Sequence, residues 1–144
     1  MKKEFVEYLN SIGITGLFQD RAQEISSFYE KITADTMQDI FVSEYVDEEG
    51  RRQYENLWLF TSSAIFEAKL FLTTDDFDGT PYTKKIKYWK IAKKDYDFNS
   101  VTSKSRMTLT FSLETSMGCI MKASGENCLF LKNIFLKYIL PNLI

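Results

Sequence analysis

Hydrophobic positions along the chain change period twice, which divides it into helix, strand and helix again. Phe5, Tyr8, Leu9 and Ile12 recur at helical spacing and Gly13 supplies a stop, so the spacing predicts a short first helix. A second helix is predicted over residues 16–32, with a stripe of Phe18, Ala22, Ile25, Phe28 or Tyr29, and Ile32. The stripe covers one side only, so this helix must lie on something, and the sheet that follows is the obvious partner.

From about residue 38 the period falls to two. Ile40-Phe41-Val42 and Tyr45-Val46 read as a strand, and Asp47-Glu48-Glu49-Gly50 as a turn. Residues 57–72 are the apolar centre: two aromatic-rich runs broken by Thr61-Ser62-Ser63, read as a hairpin of strands 54–60 and 64–72. In its second arm Phe66, Ala68, Leu70 and Leu72 alternate with Glu67 and Lys69. Residues 73–82 read as a loop containing Asp78-Gly79 and Pro81. Strands are predicted over 84–88 and 93–98, separated by a bend at Trp89-Lys90-Ile91. Met107, Leu109, Phe111 and Leu113 alternate with polar residues over 106–114, giving a strand with one wet face. After a turn at Thr115-Ser116-Met117-Gly118 a last strand covers 119–123. The closing helix carries Leu131, Ile134, Phe135, Tyr138 and Ile139, with Ser124 as candidate N-cap, Glu126 favouring its positive end, and Pro141 as terminator.

Composition narrows the class. A chain of 144 residues has the size of one domain and can bury a core without metal or disulfide. Twelve Phe, eight Tyr and two Trp fill such a core, and the net charge of −2 argues against general affinity for nucleic acid. Cys119 and Cys128 make no disulfide framework and read as free thiols of a reducing compartment. No run of about 18 apolar residues occurs, and residues 129–144, the nearest approach, contain Lys132, Lys137 and Pro141. The N-terminal residues lack the apolar core of a signal peptide, so a soluble cytoplasmic protein is expected.

The chemistry is sparse. There is no histidine, no phosphate-cradling glycine loop, no paired-cysteine motif and no nucleophile elbow, so no enzyme activity and no cofactor are expected. Asp75-Asp76-Phe77-Asp78-Gly79 invites a calcium reading. A loop with Gly79 at its sixth position would need an acid at Thr74 and a Glu at Lys85, so a solvated turn accounts for it better. Cys128 lacks the basic neighbours of a nucleophile and reads as a small packed hydrophobe.

The element order, with Leu57-Trp58-Leu59-Phe60-Thr61, the Trp89-Lys90-Ile91 step, the alternating strand 107–113 and the closing amphipathic helix, resembles the pleckstrin-homology-like fold, and more closely its short bacterial representatives. The resemblance covers roughly residues 38–140 and is a pattern of apolar positions rather than a chemical motif. It implies an α+β protein with N-terminal helices over 1–36, then a seven-stranded antiparallel, partly closed barrel with its C-terminal helix over 37–144. The runner-up is a helix-grip sheet around a ligand cavity, for which the last helix is short.

Two roles follow as expectations. The first is a non-catalytic interaction module that binds itself or another protein. If Trp58 and Phe60 face inward, Leu57, Leu59, Ile65 and Phe71 form a second apolar face that the N-terminal helices or another chain must cover. The alternative is a peripheral binder of anionic membrane through Lys84, Lys85, Lys87, Lys90, Lys93 and Lys94, against which stands their ordinary use on wet strand faces. In lipid-binding relatives of the fold, basic residues around the first strand–strand loop hold phosphoinositides. Arg51 and Arg52 occupy that place here, behind Asp47, Glu48 and Glu49, which would repel phosphate.

Overall fold

The stripe of Phe5, Tyr8, Leu9 and Ile12 does what its spacing predicts. In a computed structural model describing residues 1–73, 79–82, 84–95, 100–115 and 117–144, it lies buried on and just beyond helix α1, Lys3–Ser11. Gly13 follows at φ 85°, a conformation that ends the helix at no steric cost. Helix α2 spans Gly16–Thr33 and buries Ala22, Ile25 and Tyr29, while Phe18 and Ile32 at its ends are exposed. Among the described residues seven strands follow: β1 Asp39–Val46, β2 Arg52–Phe60, β3 Ile65–Ala68, β4 Gly79–Tyr82, β5 Ile86–Lys94, β6 Arg106–Leu113 and β7 Gly118–Ser124. Helix α3, Asn127–Ile134, runs on through a π turn, Phe135–Ile139, into a 3-10 turn, Leu140–Asn142, that contains Pro141.

The protein is α+β with antiparallel pairing, but the strands do not form one seven-stranded, partly closed barrel. They divide into a four-stranded sheet, ordered β1-β2-β3-β4, and a three-stranded sheet, ordered β5-β6-β7, and neither closes. The break falls after β4, a four-residue edge strand that contains Pro81 and so has one ladder donor fewer. Residues 74–78, 83, 96–99 and 116 lie outside the described residues, and with them half of the loop expected over 73–82 and the Tyr96–Phe98 alternation; the end of that expected loop is strand β4.

Two compact units emerge. The first joins Met1–Val42 to Glu55–Pro81; the second joins Ser43–Tyr54 to Tyr82–Ile144. The N-terminal helices therefore share a unit with the central hairpin. There Tyr29 stacks on Phe66 at 4.7 Å between ring centroids, and the Tyr8 hydroxyl accepts the Val42 N–H at 2.9 Å. The hairpin register pairs Leu57 with Ala68 and Phe60 with Ile65, and Thr61 N–H closes it on the Ala64 carbonyl at 3.0 Å. Its second arm is shorter than the alternation predicts. Leu70 takes φ 50°, its N–H donates to Asn56 Oδ1, and its carbonyl accepts the Thr73 N–H, so the chain turns where a strand to residue 72 was expected. Glu67, expected outside, is buried and accepts a hydrogen bond from Asn56 at 2.7 Å.

In the second unit β6 keeps its alternation without a fault, burying Met107, Leu109, Phe111 and Leu113. Strand β5 corrects the predicted bend. It runs unbroken past Trp89-Lys90-Ile91, and the irregularity is a register shift between Ile86 and Tyr88. One extra residue there puts Ile86, Trp89 and Ile91 on the face of Leu113, Phe111 and Leu109. Without the bulge, period two would have sent Ile86 and Trp89 to opposite sides. The closing helix packs on this face. Leu131, Ile134, Phe135, Tyr138 and Ile139 are buried, Trp89 meets Phe135 edge-to-face at 4.7 Å, and Ile144 N–H donates to the Ile86 carbonyl at 2.9 Å.

Candidate functional site

The turn of the first hairpin is built by Asp47. Its Oδ1 accepts the N–H groups of Glu49 and Arg51, each at 2.9 Å, an arrangement a short acidic side chain favours. Arg51 is paired with Glu49 on the surface, and Arg52 Nε reaches the Glu44 carboxylate at 3.4 Å. Both arginines of the expected phosphate loop are thus engaged by carboxylates of their own hairpin, and the structure does not assemble them into an anion site.

Glu44 itself went unremarked in the sequence, where it sits at a plain strand position. It is fully buried. One oxygen accepts the Ser124 backbone N–H at 2.6 Å and Asn127 Nδ2 at 3.1 Å; the other accepts the Ser124 hydroxyl and faces Arg52. A buried carboxylate is tolerated where its lone pairs are filled in this way. Ser124, expected to cap the closing helix, spends its hydroxyl on Glu44, and the helix starts two positions beyond Gly125, whose φ is 57°.

The six lysines of residues 84–94 are not one patch. Lys84 sits 5.3 Å above the Tyr138 ring, and Lys85 pairs with Glu114 at 3.7 Å. Beyond the bulge, Lys93 shares the face of Met107, whereas Lys90 and Lys94 share the opposite face with Thr110 and Arg106. Lys87 is exposed at the irregularity. What the ladder brings together is a different set: Lys90 and Lys94 from β5, Arg106 from β6 and Lys122 from β7. The Lys122 ammonium lies 5.2 Å from the Tyr45 ring. Arg106 and Lys122 were legible only as the polar partners of alternating strands.

The second apolar face expected of the hairpin is core. Leu57, Leu59 and Ile65 are fully buried and Phe71 is 1% exposed, so none of the four is offered to another chain. Exposed apolar side chains gather at the C-terminal end, where Leu129, Leu136 and Leu140 on the closing helix and Leu143 and Ile144 just beyond it are 41%, 47%, 41%, 45% and 67% exposed, and others, Leu17 and Phe18 among them, lie on α2.

The Cys128 thiol is pushed up to about 11, first by burial and then by the charge of Glu44, with Arg106 pulling weakly the other way. Its sulfur faces the Ala123 carbonyl at 3.6 Å. Among the described residues no three acidic, cysteine or histidine side chains gather in a way that could hold an ion; residues 75–78 lie outside them. No described helix is long and apolar enough to cross a membrane. No protein-family model, curated protein or solved structure matches the chain.

Proposed function

We propose that the protein is a non-catalytic interaction module that pairs with a second copy of itself through the outer stripe of its closing helix. The observation that carries this reading is the exposed apolar set of Leu129 on α3, Leu136 on the π turn and Leu140 on the 3-10 turn, with Leu143 in the extended backbone that follows. Three exposed leucines along one helical segment, with exposed Leu143 and Ile144 just beyond it, differ from the scattered single apolar residues that any surface carries. A two-fold pairing would set the same stripe of each copy against the other.

Two further features support the reading. The absence of histidine and the protonated state of the buried thiol leave little nucleophilic or general-base chemistry on this chain. A four-strand meander, a three-strand meander and an amphipathic helix keep the element order on which the resemblance to pleckstrin-homology-like domains rests.

Lys132 and Lys137 flank the stripe, so two copies bring like charges together, and added salt should strengthen the pairing by screening them. Size-exclusion chromatography with light scattering, in low and high salt, tests this. The expected mass rises from monomer towards dimer with concentration, and more so in high salt. A monomer at every concentration in both salts removes the proposal.

A further inference from the structure

We propose that a depression beside the Lys94–Arg106 pair binds a phosphate group. Lys94 and Arg106 are direct cross-strand partners at the end of the β5–β6 ladder, so their side chains leave the sheet on the same face. Like charges placed opposite each other destabilise a sheet unless something of opposite sign lies between or above them. Among the described residues Lys94 makes no ion pair.

Arg106 is held in place. Its Nη1 donates to the carbonyls of Ser103 and Ser105 at 2.8 and 2.7 Å. Ser105 is fixed in turn, donating its hydroxyl to the Asp95 carbonyl at 2.6 Å and accepting the Gly125 N–H on its own carbonyl at 2.9 Å. The rest of the guanidinium fork is therefore presented in a fixed orientation, the condition under which arginine recognises phosphate best.

Around this arginine lies a depression of about 170 Å³, lined by Ala92, Lys93, Lys94, Arg106, Met107 and Thr108. Of these, Lys94, Arg106 and Thr108 leave the sheet on one face and Lys93 and Met107 on the other, and no described lining residue is a carboxylate. Glu44, the nearest buried acid in this unit, is already engaged by Ser124, Asn127 and Arg52. Exposed Asp95, next along the chain, is not among the lining residues. Lys94, Arg106 and the Thr108 hydroxyl on one face, with no acid among the described lining residues, suit a phosphate group, whether free or carried on a lipid headgroup. The inference is independent of the helix stripe.

The test is an amide-resolved NMR titration of the full chain with inorganic pyrophosphate. Saturable shifts are expected at Ala92, Lys94, Arg106 and Thr108. Lys94→Gln should weaken binding about tenfold, the cost of one charge-assisted contact, with the remaining spectrum unchanged. Lys3→Gln, far along the sequence and paired with Glu7, should leave it as it was. The absence of saturable shifts, an unchanged affinity in Lys94→Gln, or equal weakening in Lys3→Gln would overturn the proposal. Flotation with phosphatidylcholine vesicles, with and without phosphatidic acid, separates the sources. Flotation that pyrophosphate displaces assigns the phosphate to a headgroup, and its absence beside intact pyrophosphate binding assigns it to a free anion. Flotation that survives both pyrophosphate and Lys94→Gln contradicts the site.

Discussion

Glu44 Oε1 accepts the backbone N–H of Ser124 at 2.6 Å across 80 positions of sequence, inside a unit that holds both the first hairpin's turn and the closing helix. The bond ties the end of β1 to the end of β7, where the chain enters that helix. The Lys122 N–H donates to Ser43 Oγ at 2.9 Å one step away, so the two strand ends are fixed by consecutive residues. Removing the carboxylate takes this acceptor from a buried N–H, a buried hydroxyl, a buried amide and a half-buried arginine. Glu44→Leu should cost about 3 kcal/mol in a urea unfolding series, and Ser124→Ala about 1 kcal/mol. Equal stability of Glu44→Leu and the parent would show that the network carries nothing.

Ala34 ends α2 at φ 53° and is exposed. A left-handed residue with a Cβ is strained there, and glycine is the ordinary occupant of that position. Ala34→Gly should raise stability by about 1 kcal/mol, read as a higher urea midpoint at unchanged slope. Gly125, at φ 57°, is the mirror case. A Cβ there would meet Arg52 Nη2 at an ordinary 3.8 Å, so Gly125→Ala should lose about 1 kcal/mol through backbone strain alone.

Cys128 has its thiol pushed up from 9.0 to about 11, burial being the larger cause and the Glu44 charge the second. The folded state holds the proton longer than the unfolded state. The thiol's contribution to stability is therefore complete below pH 9.0 and is lost as pH rises from there through about 11. At mildly alkaline pH a thiol-reactive disulfide should label neither Cys128 nor Cys119, which is also buried, until denaturant is added. Rapid labelling of either thiol in the native protein would contradict this burial.

Much of the fold was legible where one pattern ran without a competitor. The alternation of Met107, Leu109, Phe111 and Leu113 became β6 residue for residue, and the spacing of Phe5, Tyr8 and Leu9 became α1. Around Trp89 two patterns compete. Ile86 and Tyr88 suggest one phase, Trp89 and Ile91 the other, and the sequence reads as a bend. The ladder resolves it as a single-residue bulge, because only the partners on β6 decide which phase is buried. Leu70 misled for a similar reason: its apolar side chain continues the alternation, but the backbone turns on hydrogen bonds to Asn56 and Thr73.

The surfaces were less legible than the fold. Leu57, Leu59, Ile65 and Phe71 look surplus when the hairpin is imagined with one buried face, and α1 and α2 share their unit and its core. The exposed leucines Leu129, Leu136, Leu140 and Leu143 were in the sequence, hidden beside the stronger buried stripe of Leu131, Phe135 and Tyr138. Arg106 gave no signal, because a site made of cross-strand neighbours has no spacing along the chain.

Sedimentation velocity of the parent protein beside Leu136→Glu across a micromolar concentration series tests the central claim most directly. The parent should move from monomer to dimer as concentration rises, while Leu136→Glu, altered at an exposed position with no core role, should stay monomeric with an unchanged fold. A parent that remains monomeric throughout, or a variant that dimerises as the parent does, would contradict it.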